Sequence, residues 1–174
     1  MRFLISILLV VFVTNSAHAE DIVGNLKIGD AIPESLGADI DGNKINSSDY
    51  QGKIIVISFW ATWCPPCRKE LPIIDNLQRL AGKERLAVIA VNFGEPKRIF
   101  RKFVKAAGDV HLTFSHDNKG SIGKKTFGIE AIPHIIIVDH LGKVAYVHSG
   151  YGEETVDHLA DEINDLFRKM QPDI

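Results

Sequence analysis

Apolar residues fall along this chain in two kinds of run, and the two kinds alternate. Lys53 to Trp60 (KIIVISFW) and Leu86 to Val91 (LAVIAV) are unbroken and rich in β-branched side chains, which suits strands buried on both faces of a sheet. Between them Leu71, Ile74, Leu77 and Leu80 recur at helical spacing from Pro65 onward, and Gly82 stands where a helix would stop. A second helix is predicted to begin near Pro96, with Ile99, Phe100, Phe103 and Val104 on one side. Lys97, Arg98, Arg101, Lys102 and Lys105 cover its other side, a pattern commoner on a solvated face than on a docking surface. A short strand around His111 to Phe114, a helical stretch from Gly120 to Phe127 and a loop from Gly128 to Pro133 follow. His134 to Asp139 and Lys143 to His148 flank a turn at His140-Leu141-Gly142 and read as an antiparallel pair. The last helix, Glu153 to Met170, sets Val156, Leu159, Ala160, Ile163, Phe167 and Met170 on one stripe. Upstream, Ile28 to Pro33 precedes a hairpin whose turn is Asp41-Gly42-Asn43-Lys44. This order predicts an α/β sandwich with a mixed central sheet.

The first nineteen residues follow a different rule. Met1-Arg2 supplies a positive charge, Phe3 to Val13 is apolar except for Ser6, and Ala17-His18-Ala19 is a small-x-small cleavage signal, the pattern of a secretory signal peptide over residues 1–19. An uncleaved N-terminal membrane anchor is the alternative, but the apolar run falls well short of the roughly 20 residues that span a bilayer. The segment has no cysteine for lipid attachment. Residues 20–174 then form one domain, as 174 residues with 45% hydrophobic content allow. A net charge of -2 offers no basic excess to a nucleic-acid backbone, so nucleic acid is not an expected partner.

Export changes how the two cysteines read. Oxidising compartments keep disulfides, yet Cys64 and Cys67 would close a loop too short to stabilise a fold much. A tetrahedral zinc site needs four ligands, and neither a second cysteine pair nor a histidine at ligand spacing is present. Redox chemistry remains. The pair opens a helix straight after a strand, where unpaired N–H groups and the helix dipole favour a thiolate, so Cys64 is the expected nucleophile. Cys67, one turn on, is the expected resolving thiol. Pro65 and Pro66 lack N–H groups and have φ preset for a first helical turn; they stiffen the ring and tune its potential. No metal or organic cofactor is expected, because the Cys64–Cys67 disulfide is itself the redox group.

The segment Phe59-Trp60-Ala61-Thr62-Trp63-Cys64-Pro65-Pro66-Cys67-Arg68-Lys69-Glu70-Leu71-Pro72 resembles the active-site region of the TlpA/ResA-like branch of the thioredoxin superfamily. Ile28-Gly29-Asp30, Asp41-Gly42, Gly52-Lys53, Ile132-Pro133 and Asp139 to Lys143 extend the resemblance over nearly all of the exported chain. It implies a thioredoxin-like fold with an N-terminal β-hairpin extension and a helical insertion after Asn92. It further implies that Ile132-Pro133 is a cis-proline loop receiving the partner's backbone. Glu70 is implied to be a partly buried acid that moves protons to and from Cys67 and influences partner choice; a surface glutamate is the alternative. Classical thioredoxins carry an acid six residues before the first cysteine, where this chain has Ser58. Trp63 is expected to pack beside the disulfide and shield Cys64, Trp60 to sit in the core, and Pro72 to kink its helix. One departure stands out: His134 follows the proline where the family commonly has threonine. Its imidazole would either titrate near neutrality, adding charge beside Cys64 or bonding a substrate, or stand exposed at the strand start.

By resemblance, such proteins take electrons from a membrane thiol-electron donor of the DsbD/CcdA type. They reduce disulfides of partner proteins, as in cytochrome c or oxidase maturation. The same residues would support a disulfide oxidant or isomerase if Cys64 were strongly acidic. A thiol peroxidase would need Thr or Ser three residues before its cysteine, where this chain has Ala61. A metal chaperone fits poorly with two prolines between the thiols.

Overall fold

The computed structural model describes residues 22–23, 26–150 and 153–170, with side chains over 26–150 and 158–170. The expected leader and the Val156 side chain lie outside these. Two short strands, β1 (Ile22–Val23) and β2 (Leu26–Lys27), pair with each other. The chain then passes the turn around Gly142, where Gly29 N–H donates to the Val144 carbonyl. The predicted N-terminal hairpin is β3 (Ser35–Ala38) and β4 (Lys44–Asn46). Its turn is closed by one carboxylate, since Asp39 Oδ1 accepts from the N–H groups of Asp41, Gly42 and Asn43 at 2.7 to 2.9 Å.

The core elements follow. They are β5 (Ile54–Trp60), α1 (Pro65–Ala81), β6 (Leu86–Phe93), α2 (Lys97–Ala107), β7 (Thr113–Asp117), β8 (His134–Val138), β9 (Val144–Ser149) and α3 (Glu153–Lys169). The seven-stranded sheet runs β4-β3-β7-β6-β5-β8-β9, parallel from β7 through β5 and antiparallel on either side. Every residue of β5 is buried, as its unbroken apolar run predicts.

Strand alternation divides the core in two. Val56, Trp60, Ala90 and Ile135 face α1 and α3 in one cluster that includes both cysteines; Ile57, Phe59, Val91 and Ile136 face Phe127 and the N-terminal hairpin in the other. The insertion α2 packs on the first side, with Phe103 against Trp60 at 4.5 Å between ring centroids.

Two elements depart from the sequence-based reading. The strand expected at His111 to Phe114 begins at Thr113 and runs to Asp117, because Asp75 of α1 takes the N–H groups of His111 and Leu112 and removes them from the ladder. The helical stretch before Phe127 is a short turn at 118–120 followed by a wide π-type turn, Ile122–Phe127. Asp117 opens that turn by accepting from the N–H groups of Ile122 and Gly123.

The extension joins the main sheet where β3 meets β7, and Gly37 sits at the joint with φ +108°. A Cβ there would collide with Ser115 Oγ and stand 2.9 Å from the His116 carbonyl oxygen. Gly37→Ala is therefore expected to lower stability by about 3 kcal/mol through crowding and an unfavourable φ. An unfolding midpoint in denaturant unchanged from wild type would refute this.

Candidate active site

β5 delivers the chain to the end of the sheet where its own carboxyl end lies, and a three-residue turn, Ala61 to Trp63, carries it into α1. Cys64 caps the helix from an extended backbone (φ -94°, ψ 98°), and its sulfur accepts the Cys67 N–H at 3.3 Å. Pro65 and Pro66 fill the first two helical positions, where no N–H is needed. Cys64 and Cys67 form a disulfide with Cα atoms 5.3 Å apart. Cys64 retains 4% exposure and Cys67 none, so an incoming sulfur meets Cys64 first. Cys64 is thus both the more accessible sulfur and the one at the helix start.

Glu70 shares the inward face of α1 with Cys67, Leu71, Ile74 and Gln78. It is 1% exposed, which removes the surface alternative. Burial pushes its carboxyl from 4.5 up to about 7, with the Ser58 hydroxyl on β5 pulling weakly the other way. Neither Glu70 Oε2 nor Ser58 Oγ completes a hydrogen bond within the protein. An acid half-protonated near neutrality thus lies one helical turn below the resolving cysteine. It reaches the helix–sheet interface from α1, whereas a classical thioredoxin brings its acid from the strand position held here by Ser58.

Antiparallel pairing of Phe59 with His134 brings the start of β8 beside the end of β5. The Ile132-Pro133 peptide is cis, and the Pro133 carbonyl accepts from Gly150 N–H at 2.9 Å. Ile132 packs against both core clusters.

His134 answers to neither expectation. It is buried, and as the cross-strand partner of Phe59 it faces the sheet side opposite the cysteines. Burial, aided by His148, lowers its pKa from 6.5 to about 4, so the ring is neutral. It therefore adds no cation beside Cys64, because strand alternation at β8 turns it away.

Trp60 is fully buried as predicted, and Trp63, the residue before Cys64, is 66% exposed. Pro72 stands on the solvent side of α1, which continues through it to Gly82. The five cations of α2 face outward, and none makes an ion pair among the described residues.

Sequence reasoning missed Glu95. Its carboxylate is buried in the loop between β6 and α2 and binds Thr62, two residues before Cys64. Its 33-residue separation from Thr62 left no periodic signal; only an acid placed between a buried strand and a helix start hinted at it.

Residues 27–163 match the Redoxin family. Over 125 residues the chain is 32% identical to the thiol-disulfide oxidoreductase ResA of Geobacillus thermodenitrificans, an alignment covering 71% of this chain and 70% of that one. Identity to the ResA protein of Bacillus subtilis is 30% over 130 residues, covering 75% and 72%. Among solved structures, a candidate thiol:disulfide interchange protein DsbE from Chlorobium tepidum superposes with a TM-score of 0.73 at 27% identity, over 81% of this chain and 98% of that one.

Proposed function

This chain belongs to the Redoxin family as a ResA/TlpA-like thiol-disulfide oxidoreductase of thioredoxin-like fold, and from that premise we propose that it is an exported reductase of protein disulfides. The observation that carries this reading is the asymmetry of the pair. Cys64 sits at a helix N-cap with an N–H on its sulfur, while Cys67 is sealed in one turn above an acid poised near pH 7.

In the reducing direction the Cys64 thiolate attacks one sulfur of a partner's disulfide. That S–S bond breaks, a mixed disulfide forms, and the other partner sulfur leaves as a thiolate. Cys67 then gives its proton to the Glu70 carboxylate and attacks Cys64 Sγ. The second partner sulfur is released, the Cys64–Cys67 bridge closes, and two electrons have passed to the partner. Proton transfer to Glu70 is effective because its pKa matches the working pH. Trp63, exposed beside the disulfide, and the Ile132-Pro133 loop offer the partner an apolar and a backbone contact. Pro65 and Pro66 set the stiffness of the ring that closes.

A dithiol donor must return those two electrons, and a membrane carrier of the DsbD/CcdA type meets the need outside the cytoplasm, where the leader would send the chain. The partner disulfides that suit this role are those formed wrongly between metal- or haem-binding cysteines, as in cytochrome c or oxidase maturation.

Direction is tested by the reduction potential. The neutral His134 lies away from Cys64, so thiolate stabilisation rests on the helix start, and the couple is expected near the thioredoxin value of about -270 mV. Equilibration with thiol buffers of known potential measures it. A value close to about -120 mV would reverse the assignment to an oxidant.

A further inference from the structure

We infer that Glu95 is a positioning residue of the redox site, holding the loop that presents Cys64 rather than merely closing the fold. Its Oε2 accepts from the Thr62 N–H and from Asn92 Nδ2, each at 2.7 Å, and its Oε1 accepts from the Thr62 hydroxyl at 2.6 Å. Its own backbone carbonyl lies 2.7 Å from His116 Nε2, and that imidazole stacks on Phe100 of α2 at 5.0 Å. Glu95, Asn92 and His116 are all buried. The anchor therefore has a rigid base on β6, β7 and the start of α2.

The Ala61 to Trp63 turn would otherwise be a short loop between a strand and a helix. Cys64 N–H donates to the Ala61 carbonyl at 3.1 Å, so whatever fixes Thr62 also fixes the frame from which Cys64 enters α1. The same clamp turns Thr62 inward and leaves Trp63, the next residue, pointing out. A carboxylate suits the task because two oxygens can satisfy three donors in a buried site, where an unpaired donor is costly. The loop between β6 and α2 thus reaches the redox centre through one side chain. This inference rests on Cys64 being the nucleophile, as proposed above.

Glu95→Gln preserves the arrangement: the amide oxygen replaces Oε2, and the NH2 group donates to the Thr62 hydroxyl, which then accepts. Glu95→Ala removes all three bonds, and Thr62→Val removes only the hydroxyl bond at nearly constant volume. Two readouts apply to the full-length protein: the midpoint of Cys64 thiolate absorbance against pH, and the rate at which the reduced protein reacts with oxidised glutathione. Glu95→Gln is expected to keep the wild-type midpoint and a rate within about 2-fold, because the geometry is retained. Glu95→Ala is expected to displace the midpoint and slow the reaction about 10-fold, with Thr62→Val between them.

A folded Glu95→Ala protein with wild-type midpoint and rate would overturn the inference. So would a Glu95→Gln protein as impaired as Glu95→Ala, since charge rather than positioning would then be at work. If Glu95→Ala does not fold, Thr62→Val decides by the same two readouts. Neither readout depends on a protein partner or on the direction of electron flow, so an oxidant-like potential in the wild type would reject the proposed direction and leave this test intact.

Discussion

Cys67→Ser is expected to accumulate a covalent adduct through Cys64 with its partner protein, while Cys64→Ser accumulates none. The reason is positional. Cys64 sits at the helix N-cap with its sulfur accepting an N–H, and it keeps the only exposure in the pair. With Cys67 absent, the mixed disulfide has no intramolecular thiol to resolve it. Either substitution is expected to lower turnover on the order of 10³-fold or more, since the two sulfurs act as a unit. Non-reducing gels of the full-length protein expressed in a host with an oxidising export compartment, followed by mass spectrometry of the adduct, read both outcomes. Adducts on both variants, or on neither, would mean that nucleophile and resolver are misassigned. The captured chain also identifies the partner.

The second large effect is on stability against pH, and it comes from two buried groups on opposite faces of the sheet. Glu70 titrates at about 7 in the folded protein against 4.5 ordinarily, so between these values the folded state holds a proton that the unfolded state has lost. Its contribution is fully present below pH 4.5 and falls as pH rises through 7. His134 titrates at about 4 against 6.5, so between those values the unfolded state holds the extra proton. Its contribution is present above pH 6.5 and is lost as pH falls through 4. The slopes are equal and opposite over the shared window, and the wild type is expected to be nearly flat in stability from pH 4.5 to 6.5.

Each substitution uncovers the other group. Glu70→Gln should make stability rise by about 3 kcal/mol across that window, and His134→Gln should make it fall by about the same amount. Denaturant unfolding of the oxidised proteins at several pH values measures both. Parallel curves for wild type and both variants would contradict the burial assigned to these groups. Glu70→Gln should also slow turnover about 100-fold near neutral pH by removing the proton acceptor for Cys67. The inflection in its pH–rate profile near 7 should disappear, whereas a purely structural role for Glu70 would leave that inflection in place.

Much of this molecule is local and was legible as such. The unbroken run at β5 forces a strand with two covered faces, Pro65 and Pro66 can only open a helix, and Gly82 ends it in a positive-φ conformation. These facts place Cys64 at a helix start, and the chemistry of the pair follows from that position. The Asp41-Gly42 turn and the α2 insertion were legible for the same reason, since each depends on neighbours within a few residues. The β7 strand was misplaced because its boundary depends on Asp75, a side chain from another element that captures two of its N–H groups.

The sequence by itself determined the redox pair and the family to which its setting is similar, because a helix N-terminus, a proline ring and a buried strand are short-range consequences of residue type. Tertiary structure alone decided what surrounds that pair. Glu70 titrates near neutrality only because α1 lies against β5 and excludes water from the carboxyl. His134 lost its expected role because pairing with Phe59 points it to the opposite face. Glu95 became a neighbour of Thr62 because β5 and β6 run parallel, so that their carboxyl ends lie side by side. Burial, facing and long-range contact arise from the packing of distant segments, which no periodicity along the chain encodes.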